Sequence, residues 1–478
     1  MTIGESYSWR FLARVVIEAA TPLAVGSGRK DVITDAFVAT DANGLPYVPG
    51  TSLAGVIRHS LGEEQAKAVF GYMGGRKDGH GSNIVFSDAV MIGKDGKPLD
   101  GLQNIDFNDA FYSKFMDLPI RQHVHINHLG TTADTGKFDE QVVYQGTRFC
   151  FEVEGVAKEE GDLQPFETSL NTLFDDGLRL GSGTRNGFGK IRVVSCKTAH
   201  LDLSDRKALA SYMEKDASLS VDWPGFSDGF KAGSSHPDAI TYTLTLTPAD
   251  YFLFGSGFGD EEADMTPVRE DVITWEEGIP HFKNSCMLIP ASSLKGAIAH
   301  RTAFYYNKRN NVYAEDMVTD RDRKEHTGEN NKAVCTLFGS SGESDGDKSA
   351  SGVSKQTRGK VLFSDIIQAT GSTGTEKLFN HVAIDRFTGG AIDGALFTEK
   401  TFYGHGETYT TKLVVLKEAL EDLDVEDAFE KALMDIAKGM LPLGGGVNRG
   451  NGIFRGIVKK DDKTIYPEEG ENGEENRE

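Results

Sequence analysis

Pro49-Gly-Thr-Ser-Leu-Ala-Gly55-Val-Ile-Arg58 and Pro290-Ala-Ser-Ser-Leu-Lys-Gly296-Ala-Ile-Ala-His-Arg301 are two versions of one phrase in a single chain. Other landmarks repeat around it in the same order. Gly26-Ser27-Gly28 matches Gly255-Ser256-Gly257 ahead of the phrase. Phe70-Gly71 matches Phe338-Gly339 after it, and Val85-Phe86-Ser87-Asp88 matches Leu362-Phe363-Ser364-Asp365. Next, His123-Val-His-Ile-Asn127-His128 faces His381-Val-Ala-Ile-Asp385-Arg386. Last, the glycine run Gly181 to Gly189 faces Gly444 to Gly452. An ordered set of matches is the mark of tandem duplication. The expected organisation is a first domain over 1–200, a linker over 201–239, a second domain over 240–460 and an acidic disordered tail over 461–478.

Local patterns give each half a fold. Trp9 to Ala20 and Ile240 to Thr247 alternate as strands. The phrase predicts a helix with Thr51 or Ser52 as N-cap in one copy and Ser292 or Ser293 in the other. Strands are expected at Tyr144 to Val156 and Thr408 to Leu416, helices at Leu163 to Asp175 and Val425 to Lys438, and closing strands after each glycine run. This is a split βαβ order. The expected class is α+β, with two tandem ferredoxin-like or RRM-like domains carrying inserted hairpins and loops. Asn307 to Lys360 reads as a mobile insertion.

Composition narrows the function classes. No apolar run of about 18 residues predicts a membrane span, and Met1 to Arg14 does not read as a secretory signal. Cys150, Cys196, Cys286 and Cys335 lie too far apart for a zinc knuckle or redox motif, so a reduced cytoplasm and no structural zinc are expected. The 478 residues carry a net charge of −21. The tail supplies −6 of it, with eight acidic residues against two basic ones. Any nucleic-acid site must therefore be a local groove and not a whole face.

Together these motifs resemble the RAMP superfamily, and within it the backbone subunits of type III CRISPR effector complexes, here as a fused double subunit. The resemblance implies an RRM-like palm and a hairpin thumb in each half. It implies CRISPR RNA, target RNA and other effector-complex subunits as partners, in a prokaryotic cytoplasm. In cleaving members a loop Asp near the start of each domain cuts target RNA with Mg2+ or another divalent metal. Asp35 and Asp264 match that position best, as catalytic residues and metal ligands. Asp31 and Asp271 are second choices, because Asp271 begins the same Asp-Val-Ile-Thr tetrapeptide as Asp31, and Asp264 lies further from Pro290 than Asp35 does from Pro49.

RNA-contact candidates follow from chemistry and resemblance together. Ser52, Ser293, Arg58 and Lys295 flank helix N-termini, where free N–H groups suit phosphate. Arg185 and Arg449 lie in glycine loops that let a phosphate approach the backbone closely. Gly183 to Lys190 fails as an ATP-binding loop, since Lys190 is followed by Ile191. His128 and Arg386 fall at the thumb, and Phe138 and Phe397 are placed at its tip as apolar wedges. The His123, His125 and His128 cluster is not kept across the copies, which argues against a metal. Two rival readings stay open: a non-catalytic structural backbone subunit, and a guide-processing endoribonuclease.

Overall fold

The computed structural model describes residues 7–31, 34–74, 79–127, 131–228, 230, 238–319, 323, 326–340, 357–368, 375–404 and 406–467. Each half is built on an antiparallel sheet with the same strand order. In the first domain the order is Ile84–Phe86, Arg148–Ala157, Trp9–Ala19, Ile191–Asp202, Ser227–Asp228. In the second it is Val361–Leu362, Tyr409–Leu416, Ala239–Pro248, Phe454–Lys460, Lys463–Tyr466. The first strand of each domain lies at the centre of its sheet, the ferredoxin-like arrangement that the sequence predicts.

Alternation explains which face each strand buries. Tyr242, Leu244 and Leu246 point inward and are almost fully buried, while Thr241, Thr243, Thr245 and Thr247 between them remain partly exposed. The inner face packs against the phrase helix, Gly50–Ser60 in one domain and Ala291–Arg309 in the other, and against Gln164–Asn171 or Leu423–Ala437.

Two boundaries shift. Residues 203–228 are more than a linker. Arg14 donates to the carbonyls of Val221 (2.6 Å) and Ser218 (3.3 Å), Trp223 joins Leu12 and Ala199, and Ser227–Asp228 adds a strand. The segment roofs the outer face of the first sheet. At the other end, Lys463–Tyr466 pairs with the Phe454–Lys460 strand. The predicted tail therefore begins later than 461, and 468–478 lie outside the described residues, as does 341–356 of the Asn307 to Lys360 insertion.

The long spacing from Asp264 to Pro290 also has a physical reason. Where the first domain has a tight turn closed by Thr40 and Pro46, the second has a hairpin, Arg269–Glu276 with Ile279–Ile289. It reaches back onto the first domain. Ile273 joins that domain's core, with Trp275 and Phe282 packed against it. The Trp275 indole N–H donates to the Gly146 carbonyl at 2.7 Å. The hairpin is a clasp between the domains.

Candidate RNA-binding seam and Asp loops

The phrase helices are capped differently from the prediction. Pro49 and Pro290 occupy the N-cap positions and give no side-chain bond. The cap arrives from the other repeated motif. Asp88 Oδ1 accepts the Gly50 N–H at 2.8 Å, and Asp365 Oδ1 accepts the Ala291 N–H at 2.7 Å. A carboxylate suits the positive end of a helix. The Phe-Ser-Asp and Pro-x-Ser/Thr-Ser-Leu motifs are thus two halves of one contact. Ser52 and Ser293 sit in the first turn without capping it, and Arg58 reaches the Gly71 carbonyl at 3.2 Å.

Asp35 and Asp264 occupy equivalent places. The Asp139 N–H donates to Asp35 Oδ2 at 3.0 Å, and Ala36 bridges Glu140 in parallel. The Thr398 N–H and hydroxyl donate to Asp264 Oδ2 at 2.7 and 2.9 Å, and Met265 bridges Glu399 in parallel. Both Asp residues are exposed. The Thr398 bonds, backbone first, hold the Asp264 carboxyl below the usual carboxylate range.

The shared register removes Asp271 as a catalytic candidate. Asp271 lies within the clasp, where it pairs with Lys114 at 2.7 Å and accepts the Ser285 N–H at 2.8 Å. The shared tetrapeptide misleads, because Asp271 to Thr274 is strand, whereas Asp31 accepts the Thr34 N–H at 2.6 Å and donates its own N–H to the Thr34 carbonyl at 3.0 Å. Among the described residues no group of three or more His, Cys, Asp or Glu is arranged to hold a metal. Asp35 shares its loop with Asp31 and Asp41, and Asp264 follows Asp260 and Glu262, both of which pair with Lys400.

Two hairpins form the thumbs, Ile120–Ile126 with Thr132–Gln141 and Thr375–Ile384 with Ala391–Tyr403. Phe138 and Phe397 are not at their tips. They pair in register with His123 and His381 and stack on those rings, at 4.6 Å and 13° and at 4.8 Å and 23°. The second tip is instead a turn in which Asp385 accepts the N–H groups of Phe387 and Thr388, leaving the Phe387 ring 99% exposed. Arg386 is exposed beside it, and His128 lies outside the described residues.

Below each His–Phe stack lies a buried glutamate that sequence reading missed. Glu140 accepts the Ser182 hydroxyl, and Glu399 pairs with Arg449. Burial raises the Glu140 carboxyl and depresses His123 to about 4. The signal existed, since each glutamate follows its Phe by two residues, but a lone Glu at that spacing carries no chemistry by itself.

The glycine loops match bond for bond. Asn186 N–H donates to Gly183 O and Arg449 N–H to Gly446 O, both at 2.8 Å; Ser182 N–H donates to Ala24 O and Gly445 N–H to Leu253 O, both at 2.7 Å. Arg185 therefore aligns with Asn448, one residue before Arg449. Arg449 is engaged, ion-paired to Glu399 and stacked 5.4 Å over Phe397. The first loop docks against the second domain. Arg185 donates to the Gly359 carbonyl, and Lys295 donates to Asn186 Oδ1 at 3.1 Å. Arg358 lies 3.2 Å from the His59 ring nitrogen.

Around the first glycine loop Arg185, Lys295 and Arg358 gather with no salt-bridged anion among the described residues. Burial, then Arg358 and Arg179, depress Arg185 to about 10. Burial, then Arg185, also lowers Lys295. Among the described residues neither cation has a salt bridge. Cations that repel one another create a local demand for an anion, inside a chain whose overall charge is −21.

A family model described as RAMPs, the RAMP superfamily, matches residues 16–192 and 253–455. The chain belongs to the RAMP superfamily. The two matched regions contain the Asp loops, phrase helices, thumbs and glycine loops of both halves. No curated protein matches the chain. RAMP proteins are CRISPR-associated RNA-binding proteins that bind CRISPR RNA and complex subunits, and some are endoribonucleases. No helix among the described residues is long and apolar enough to cross a membrane.

Proposed function

We propose that this RAMP protein is a double backbone subunit of a type III CRISPR effector complex in a prokaryotic cytoplasm. In this reading it holds CRISPR RNA along the cationic seam and cuts guide-paired target RNA at Asp35 and Asp264. Base pairing reads the sequence, and the protein reads backbone and shape. The observation that carries the reading is the matched pair of Asp loops. Each presents an exposed carboxylate pinned at one oxygen by the thumb strand.

The free carboxylate oxygen takes the proton of a 2′-hydroxyl. The 2′-oxygen then attacks the adjacent phosphorus, the bond to the 5′-oxygen breaks, and that oxygen takes a proton from solvent. The products are a 2′,3′-cyclic phosphate and a 5′-hydroxyl. The pinned oxygen fixes the carboxylate's direction, which positions the base for the 2′-hydroxyl. A requirement for Mg2+ or another divalent ion is tested by running the same assay with EDTA.

The decisive experiment maps target fragments from the assembled complex with Asp35→Ala and Asp264→Ala made separately. Each substitution is expected to remove its own cut by about a hundredfold or more and to leave the other. Both cuts persisting in both variants would leave a structural, non-cleaving subunit.

A further inference from the structure

The two sheets share a strand order but differ on their outer faces. On the first sheet, cations and carboxylates pair. Arg14 Nε donates to Glu152 at 2.9 Å, and Arg10 lies 3.3 Å from Glu154. The roof completes the matching, since its Asp228 stands 4.0 Å from Lys197. The junction follows the same pattern. Arg121 is buried there between Glu270 and Asp365, the latter at 3.1 Å.

The outer face of the second sheet breaks this pattern. Tyr242, Leu244 and Leu246 turn inward, so Thr241, Thr243, Thr245 and Thr247 face out. Residues directly opposite each other in an antiparallel pair share a face. Thr243 lies between Lys412 and Lys459, Thr245 between Thr410 and Ile457, and Arg455 stands opposite Thr247. These outward positions hold three cations, with no carboxylate and no aromatic ring. Lys412, Arg455, Thr410 and Ile457 are exposed, and neither Lys412 nor Lys459 has an ion pair among the described residues. A face without rings lacks the stacking platform of a single-stranded RNA site.

Duplication points to what answers these cations. The roof of the first sheet is the chain that follows its closing strand, Ile191–Asp202. The chain that follows the second closing strand forms the edge strand Lys463–Tyr466 and then enters 468–478. That segment holds six Glu against one Arg, a net −5. It starts beside the face, because Thr464 pairs with Lys459. Three strand spacings separate the edge strand from the strand of Lys412, about 15 Å. Eleven extended residues reach about 36 Å. In a chain of −21, an acidic segment is repelled by most of the surface, and this face is the cationic one at its exit. Tethering gives it an effective concentration in the millimolar range.

We propose that the acidic segment 468–478 docks across the outer face of the second sheet, onto Lys412, Lys459 and Arg455, and keeps that face from other polyanions. It does by charge what the roof does for the first sheet by packing. The inference is independent of cleavage.

The first test is zero-length crosslinking of the full-length protein without RNA. Carbodiimide joins carboxyl and amine groups that touch. At about 50 mM salt the monomer is expected to yield peptides that join 468–478 to Lys412 or Lys459, and about fivefold fewer at 0.5 M salt, where screening is much shorter-ranged. Segment peptides joined only to other lysines, such as Lys295 at the seam, would overturn the proposal, and so would none at all.

The second test removes the segment. A chain ending at Pro467 keeps every described element. It is expected to bind an oligouridylate of about 20 nucleotides about fivefold more tightly than the full-length chain at about 50 mM salt. Adding Lys412→Gln together with Lys459→Gln to the shortened chain is expected to abolish that gain. Both side chains lie on the open face, so the fold does not depend on them. An unchanged affinity on shortening would overturn the proposal. A gain that survives both glutamines would overturn it too, because the segment would then act elsewhere or through net charge alone. Neither test reads cleavage, so a failure here and a failure of the Asp35 and Asp264 reading remain distinct.

Discussion

Gly187 and Gly450 hold the same place in the same loop, with φ of 110° and 94°. Around Gly187 there is no room. A Cβ there would stand 2.4 Å from the Ala291 Cβ and 2.8 Å from Asp365 Oδ1. A Cβ on Gly450 would meet nothing within 4 Å. One backbone geometry therefore serves two situations, docked on a neighbouring domain in the first copy and open at the far end of the second. The duplicated core sets the shape of the loop, and unique parts around it decide its use. Those parts are Arg121, the clasp and Lys295 on the docked side, and the Arg449–Glu399 pair on the open side.

If that division is right, damage to the unique parts should separate the domains while sparing each sheet. The largest effect is expected at Arg121. Arg121→Met leaves Glu270 and Asp365 buried without their cation, which costs about 3–5 kcal/mol. Urea unfolding should show this as a lower midpoint or as two separated transitions. The pH dependence has a definite sign. Burial, the largest influence, already raises the Glu270 carboxyl in the wild type, and losing Arg121 raises it further. A carboxyl whose folded value lies above its unfolded value binds protons more tightly when folded. The defect should therefore shrink as pH falls from neutral towards that raised value. A defect that grows on acidification would contradict the assignment.

The clasp comes next. Trp275→Ala removes a large ring from the first domain's surface, its 2.7 Å bond to the Gly146 carbonyl, and a partner stacked 4.1 Å from the Arg148 guanidinium. The expected loss is about 3 kcal/mol, read in the same unfolding experiment. The matching turn of the first domain holds nothing across the domain boundary, so replacing its exposed Ala42 with Ser should change stability by under about 0.5 kcal/mol.

These contacts also mark where sequence reading stopped. The duplicated sheets were legible, because Ile240 to Thr247 alternates with period two and because repetition puts each residue beside a counterpart. The resemblance put Asp35 and Asp264 before a short apolar stretch in each half, and the parallel bridges beside them, Ala36 to Glu140 and Met265 to Glu399, are equivalent. What could not be read was contact over long separation. Asp88 caps Gly50 across 38 positions, and Arg121 meets Asp365 across 244. The local Ser and Thr residues beside the phrase looked like sufficient caps. Phe138 and Phe397 were misplaced at the thumb tips because hairpin register, not residue type, sets distance from a turn. Arg185 and Arg449 looked alike within their loops until the hydrogen bonds showed them one residue out of step.

The glycine pair is the sharpest test of the opening contrast. Gly187→Ala must push against Ala291 and Asp365 and also hold a positive φ. Gly450→Ala faces only the backbone term, about 1–2 kcal/mol. Thermal unfolding of the two single variants should therefore rank Gly187→Ala as the more damaging. Its excess should vanish in a chain that already carries Arg121→Met, because a loosened junction can yield to the added methyl. Gly450→Ala should cost the same in either background, since nothing it touches belongs to the junction. Equal penalties for the two substitutions in the wild-type chain would mean that both loops are limited by their own backbone. The docked loop would then owe nothing to its neighbour.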